Sequence, residues 1–455
     1  MIDRLKKVIQ KLEKSGRYVE IHLEESFPTV IGYSGKEMET ISDSSFFAGN
    51  IRIFEKGYWS FYSFNNLNID LLEKEGERMI RTMGFLEKRP GELPHCHKIE
   101  DSIETEYEKN PKKYSLEERN SIIRNYNELL GRNKKITTTR SIYKDVRKKL
   151  IFLNSEGSYI TQEKTFTGFS VYGMAREGTN VQQAFFSNAG YGGMELVEGR
   201  EEEVERVTRT ALDLLSAKPA EKGRYNVILD PWIAGVFAHE AFGHLSEADH
   251  VYENEGMLQM MKLGRTFGKE TLNIIDDGSL KGLAGYTPYD DEGIPGNRTH
   301  LIKNGKLVGR LHSRETARKM GEELTGNARA LNPMGSPLVR MTNTFIDNGS
   351  ETRESLFEKL GDGIYCADYI GGMTNLEMFT FTPARAYRVE NGKVKELLRD
   401  VVLSGNVFET LHQIEGIGND LQHFGTLGGC GKGGQSGLPV TIGAPHVLIK
   451  DVLIG

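Results

Sequence analysis

Two histidines bracket a glutamate in Val236-Phe237-Ala238-His239-Glu240-Ala241-Phe242-Gly243-His244, and those three side chains are enough to hold and use a zinc ion. In the familiar zinc-protease pattern the histidines stand four residues apart, so both imidazoles leave one helical face with the glutamate set to act on water. Here the second histidine comes one residue later. At roughly 100° per residue, a regular helix would turn it about 140° from the first, too far to share a small ion. The spacing therefore predicts a local π turn, bonded from i to i+5, that returns His239 and His244 to one side, with Gly243 supplying the backbone freedom. A buried helix whose histidines merely hydrogen-bond would account for the same residues without a metal.

The C-terminal segment adds a third candidate ligand. Gly428-Gly429-Cys430-Gly431-Lys432-Gly433-Gly434-Gln435-Ser436-Gly437 surrounds a cysteine with glycines that no core-packing argument requires. A thiolate is a strong zinc ligand, and two histidines plus one cysteine leave a fourth tetrahedral position open, as in a catalytic site. Glu247, Asp249 and His250 follow the histidine motif closely and compete with Cys430, because a carboxylate can also be the third ligand.

Together the two segments resemble the TldD/PmbA family of metalloproteases, specifically its metal-bearing TldD-type subunit. The likeness continues through Ile275-Asp276-Asp277-Gly278, Asp290-Asp291-Glu292-Gly293-Ile294-Pro295-Gly296, Arg340-Met341-Thr342-Asn343-Thr344 and Gly418-Asn419-Asp420-Leu421. It is specific from about Tyr225 onward and weaker before, where Gly49-Asn50-Ile51-Arg52-Ile53 and Gly57-Tyr58-Trp59-Ser60-Phe61 look like the family's N-terminal strand pair. The resemblance implies one zinc per chain held by His239, His244 and Cys430, with Glu240 as general base, acting on short or unfolded peptides. It decides the third ligand in favour of Cys430. It also implies a dimer, either of identical chains or with a PmbA-type subunit that lacks the metal motif, enclosing a narrow cavity in which an extended peptide is held as an added strand. The family was once described as modulators of DNA gyrase, so a nucleic-acid-associated regulator and a non-catalytic, zinc-stabilised assembly subunit are the alternative readings.

Composition fits a cytoplasmic enzyme. The chain has 455 residues, enough for two or three domains, and a formal net charge of −6, which gives no global field to attract nucleic acid. Cys96, Cys366 and Cys430 are the only cysteines, a sparse and odd set that points to a reducing compartment. No apolar run is long enough to span a membrane, and the start reads as a charged amphipathic helix without an apolar signal region.

The elements that must position these residues form an α+β fold. Periodicity predicts helices to about Lys14, over Ile69–Phe85, Leu116–Leu130 and Arg200–Ala217, with strands from Arg17 to Leu23, a hairpin at Glu55-Lys56-Gly57, and paired strands over Ser141–Met174 turning at Ser155-Glu156-Gly157. The polar stretch 218–224 suggests an N-terminal α+β domain over 1–219, with a possible sub-boundary near 86–113, and a C-terminal metallopeptidase domain over 220–455 opening with the strand Tyr225–Leu229. Asn304-Gly305 and Asn391-Gly392 are hairpin signals, so the second domain is expected to be largely antiparallel sheet carrying the zinc-site helix.

Other features have plainer readings. His95-Cys96-His97 reads as an exposed loop and Cys366 as a buried small apolar residue. The basic interval 132–149, with Lys134, Lys135, Arg140, Lys144, Arg147 and Lys148, reads as a solvated face. Asp290-Asp291-Glu292-Gly293 lacks calcium-loop spacing and reads as a turn or the wall of a substrate cleft. His423 is the candidate donor to a developing oxyanion, with a structural role equally open.

Overall fold

The structure is a computed structural model describing residues 1–14, 16–89, 91–375 and 377–455. Its first half is built on one eight-stranded sheet. The strands are β1 (Arg17–Ser34), β2 (Glu37–Asp43), β3 (Phe46–Glu55), β4 (Tyr58–Phe64), β5 (Glu100–Glu104), β6 (Ile136–Asn154), β7 (Tyr159–Glu177) and β8 (Asn180–Tyr191). They run in the order β4-β3-β1-β6-β7-β5, with β2 added to β1 and β8 to β7. All pairings are antiparallel except β5 with β7.

The predicted helices appear within a residue or two of their expected limits: α1 (Ile2–Leu12), α2 (Ile69–Gly84), α3 (Leu116–Leu130) and α4 (Glu201–Ser216). They cover one face of the sheet. Leu5, Val8, Ile9 and Leu12 of α1 and Leu72, Met79 and Met83 of α2 close over Val19, Ile21, Leu23, Ile51 and Ile53. Further along, α3 and α4 close over Ile31, Tyr143, Phe169 and Val171. Each of these sheet residues is odd-numbered, as the two-residue period of a strand requires.

The even-numbered face is polar, yet it too is buried. Glu20, His22, Glu24, Ser26, Asn50 and Arg52 lie there, nearly all their surface removed by the C-terminal half. Arg52 bridges Glu20 at 2.8 Å and Glu292 at 3.0 Å, Asn50 Nδ2 donates to the Pro333 carbonyl, and His22 Nδ1 stands 3.5 Å from Asp291. Burial pushes Glu20 up to about 7 against the opposing pull of Arg52. The folded chain thus keeps a proton that the unfolded chain releases from about pH 4 upward, so this group removes stability as pH rises from about 4 to 7. Glu20→Gln should make the melting temperature fall less steeply across that window than in the unaltered chain, which thermal unfolding at a series of pH values will test.

The C-terminal half carries a ten-stranded sheet and a six-stranded sheet, both mostly antiparallel, plus two small hairpins. The Asn304-Gly305 and Asn391-Gly392 turns form as expected, with positive φ at both residues of each pair. Strand β10 (Gly223–Leu229), preceded by the short β9 (Lys218–Pro219), runs centrally between Gly363–Ala367 and Val447–Ile454 and leads into α5 (Pro231–Ala238), every residue of which is buried. Asp230 caps this helix by accepting from the Trp232 and Ile233 amides, and Pro231 occupies its first position. That cap fixes where the next turn, bearing His239, must lie. Among the described residues no helix is long and apolar enough to cross a membrane.

A candidate metal centre

Immediately after α5, residues His239–Gly243 form a single π turn, and the His244 amide donates to the His239 carbonyl. The five-residue spacing is thereby accommodated as its geometry demands. Gly243 serves differently from the expectation: its φ of −57° is ordinary helical backbone. Its role is space, because a Cβ there would lie 2.0 Å from Met341 Sδ, inside a closed core. Gly243→Ala should destabilise the protein by about 1–3 kcal/mol, as overpacking does. In a Met341→Ala background the same change should be close to neutral in a thermal melt, isolating the clash.

The π turn brings the two imidazole centroids to 5.1 Å, nearly perpendicular. Cys430 reaches them from a two-stranded hairpin, Cys430–Lys432 with Gln435–Leu438, whose turn residues Gly433 and Gly434 both have positive φ. Ligand atoms of His239, His244 and Cys430 all lie within 4.8 Å of one another, and Cys430 Sγ is 3.4 Å from His244 Nε2. Two donors on a tetrahedral zinc would stand roughly 3.5 Å apart, given usual Zn–S and Zn–N lengths. His239 Nδ1 is buried without a hydrogen-bond partner among the described residues. A donor set of two imidazoles and one thiol at this spacing fits zinc.

Electrostatics agree with the geometry. Burial alone would raise the Cys430 thiol, but hydrogen bonds with His239 and His244 outweigh it and bring it down to about 5. For His244, burial works against the charged form, while Cys430 and Glu247 outweigh it and raise the imidazole to about 10. Without metal, the pair is thiolate and imidazolium at neutral pH.

Glu247 stands on the far side of His244 from the thiol. Fully buried, it accepts from His244 Nδ1 at 3.2 Å and pairs with Lys432 Nζ at 3.0 Å. It thus orients the His244 ring, the place a carboxylate takes behind a metal-bound histidine. Lys432 also pairs with Asp249 at 2.6 Å and donates to the Val339 carbonyl, tying the cysteine hairpin to the segment after the π turn. The buried Arg340 donates to the Cys430 carbonyl at 2.8 Å. The sequence reading missed both cations, although Lys432 is conspicuous as the lone charge among glycines. His250 is exposed and 3.9 Å from Glu247.

His239, Glu240, His244 and Cys430 line a cleft of about 680 Å³. His239 and Glu240 also line an adjoining, mainly apolar cavity of about 460 Å³ with Trp232, Tyr369 and Phe424. The Glu240 carboxylate makes no hydrogen bond or ion pair among the described residues and faces both spaces. His423 does not reach them. Its strand neighbour Phe424 turns inward to stack on Trp232 at 5.0 Å, so His423 faces the opposite side, against Phe345. Cys366 is buried in the core and His95 is exposed, as their plainer readings required, whereas Cys96 is half-buried.

Residues 222–455 match the model of the PmbA/TldA metallopeptidase C-terminal domain, and residues 109–217 that of the central domain of the same family. A metalloprotease of Synechocystis sp. is 39% identical over 456 residues, covering 99% of this chain and 97% of that protein. The chain belongs to the PmbA/TldD metallopeptidase family. A protein of Saccharolobus solfataricus described as a zinc metalloprotease TldD homolog is 34% identical over 310 residues, 67% of this chain and 68% of that one. The fold is shared with TldE from Thermococcus kodakarensis, at a TM-score of 0.76 and 19% identity over 99% of this chain and 100% of that one.

Proposed function

We propose that this PmbA/TldD-family chain is a zinc-dependent peptidase hydrolysing short or unfolded peptides, with one zinc held by His239, His244 and Cys430. The observation that carries this reading is the convergence of two imidazoles and one thiol in an open cleft, beside a Glu240 carboxylate that has no hydrogen bond or ion pair among the described residues. When bound, zinc supplies Lewis acidity for water activation and carbonyl polarisation. Glu240 is the general base: it takes the proton of the attacking water and hands it to the departing amine nitrogen. Glu247 holds His244 with Nδ1 protonated, leaving Nε2 free to ligate. The apolar cavity beside Glu240 accepts a side chain flanking the scissile bond.

An extended substrate is supported by the strand Gly371–Asn375. It is the terminal strand of the ten-stranded sheet, paired only with Met378–Thr382 among the described residues. Its neighbours Tyr369 and Ile370 line the apolar cavity, and Thr374 lines the metal cleft. A peptide added at this edge would be held through its backbone past Glu240. The reading further takes the chain as a cytoplasmic protein of two domains, 1–219 and 220–455, working as a dimer with itself or with a TldE/PmbA-type subunit.

The deciding experiment incubates the zinc-loaded protein with an unstructured peptide and follows the products by mass spectrometry. Cleavage that a chelator stops and zinc restores is the expected result. An intact peptide, in the presence of stoichiometric zinc and of either candidate partner, would leave a zinc-stabilised assembly subunit in its place.

A further inference from the structure

A second chamber lies beyond the apolar cavity, and its chemistry is different. Its volume is about 410 Å³, and it shares Thr426 and Leu427 with the cavity beside Glu240. One wall is the even-numbered face of β1, β6 and β7, which also supplies Ile142 and Ser170 to the apolar cavity. The opposite wall comes from the C-terminal half, including Asp290, Asp291 and Arg329. Asp290 and Asp291 of the acidic cluster therefore line a cavity, as the sequence suggested, whereas Lys144 and Lys148 of the basic interval, both partly buried, line this chamber instead of forming a fully solvated face. The long pairing of β1 with β6, invisible in local sequence, turns them inward.

The chamber holds more cation than its own carboxylates match. Ser26, Lys148 and Lys164 form one row across three adjacent strands, so two lysines stand directly opposite each other. Like charges in that relation destabilise a sheet. Lys148 is offset by Glu24 at 3.0 Å. Lys164 is not: only 8% exposed, it makes no hydrogen bond or ion pair among the described residues through its ammonium, which lies 5.5 Å from the centroid of the Tyr191 ring. Arg329, 5% exposed, donates only to the carbonyls of Met341 and Pro439. The remaining carboxylates are engaged elsewhere. Asp290 accepts from the Glu292, Ile294 and Ala328 amides, and Asp291 accepts from Ala330 while facing His22. Lys164 keeps its stem buried and its ammonium open to the chamber, so a ligand there meets a cation that no carboxylate among the described residues has taken.

We propose that this chamber is a carboxylate-binding subsite, in which Lys164, supported by Arg329, receives an anionic group of a peptide whose body passes the apolar cavity. The proposal rests on the peptide reading above. The carboxylate is either the peptide's C-terminus or an acidic side chain. Along β7, Lys164 lies six residues from Ser170 in the wall of the apolar cavity, roughly 20 Å at strand rise, so the anion sits about six extended residues from the apolar subsite.

The test is calorimetric binding to zinc-loaded, full-length Glu240→Gln protein, which holds substrate without turning it over. One unstructured peptide is compared as the free C-terminal acid without acidic side chains, as its C-terminal amide, and as the amide with glutamate at successive positions. The free acid, or the amide bearing glutamate at one favoured position, should bind at least about tenfold more tightly than the plain amide, the scale of a charge-assisted contact. Which of the two does so identifies the source of the carboxylate. Lys164→Met should abolish the preference and Lys164→Arg keep it. Equal binding by all forms, including no binding by any, overturns the proposal, as does a preference that survives in Lys164→Met. Should Lys164→Met fail to fold, the comparison on the Lys164 chain decides alone. Carboxylate-selective binding with no cleavage by the unaltered, zinc-loaded chain in the presence of either candidate partner would remove the peptidase reading and leave the subsite standing; cleavage without selectivity would do the reverse.

Discussion

Glu240→Gln is expected to purify with the zinc content of the unaltered chain and to cleave an unstructured peptide about 100- to 10,000-fold more slowly, the range that loss of a positioned general base produces. The two halves of this expectation rest on separate observations. Retention of metal follows because the cluster of close ligand atoms consists of His239, His244 and Cys430, without Glu240. Loss of rate follows because the Glu240 carboxylate, without a hydrogen bond or ion pair among the described residues, borders both the metal cleft and the apolar cavity. Glutamine keeps the shape and cannot take a proton. The comparison needs parallel metal analysis and product quantification, since a variant that lost zinc would lose rate for a different reason. Cleavage within a few-fold of the unaltered rate would give the proton transfer to another group.

The approach of His239 to His244 was legible because its constraint is local, whereas Cys430 stands far along the chain and was implied by the family resemblance. A five-residue spacing between two ligands leaves a helix few ways to comply, and the π turn at His239–Gly243 is the one adopted. The Asn-Gly hairpins and the amphipathic helices were readable for the same reason. What could not be read is set by distant pairing. The alternation Tyr18, Glu20, His22, Glu24, Ser26 looks like a strand with one wet face, yet that face is buried against Glu292, Asp291 and Pro333-bearing backbone from the other half of the chain. Lys148 reads as surface charge until its pairing with Ser26 and Lys164 is known. Cys430 and Glu247 are alike in this respect: both are ligands by type, and their placement on opposite sides of the His244 ring is set by the fold alone. His423 failed as a site residue because one step along a strand reverses the side a residue faces.

That placement makes the ligand assignment sharply testable by metal content. Cys430→Ser is expected to purify with little or no zinc where the unaltered chain holds one per chain, because a serine hydroxyl does not ionise at neutral pH as the Cys430 thiol does at about 5. Glu247→Gln should behave differently. Its carboxylate orients His244 and neutralises Lys432 without pointing at the shared ion position, so zinc should still bind, about 10- to 100-fold more weakly, the usual loss when a partner behind a ligand is changed. The variant also leaves the ammonium of Lys432 with Asp249 as its remaining carboxylate, and the hairpin bearing Cys430 should loosen from the π segment. Mass spectrometric zinc content, followed by competition with a chelator of known affinity, separates the two effects. Stoichiometric zinc in Cys430→Ser together with none in Glu247→Gln would exchange their roles, requiring His244 to turn its ring so that the nitrogen now facing Glu247 shares the ion with that carboxylate.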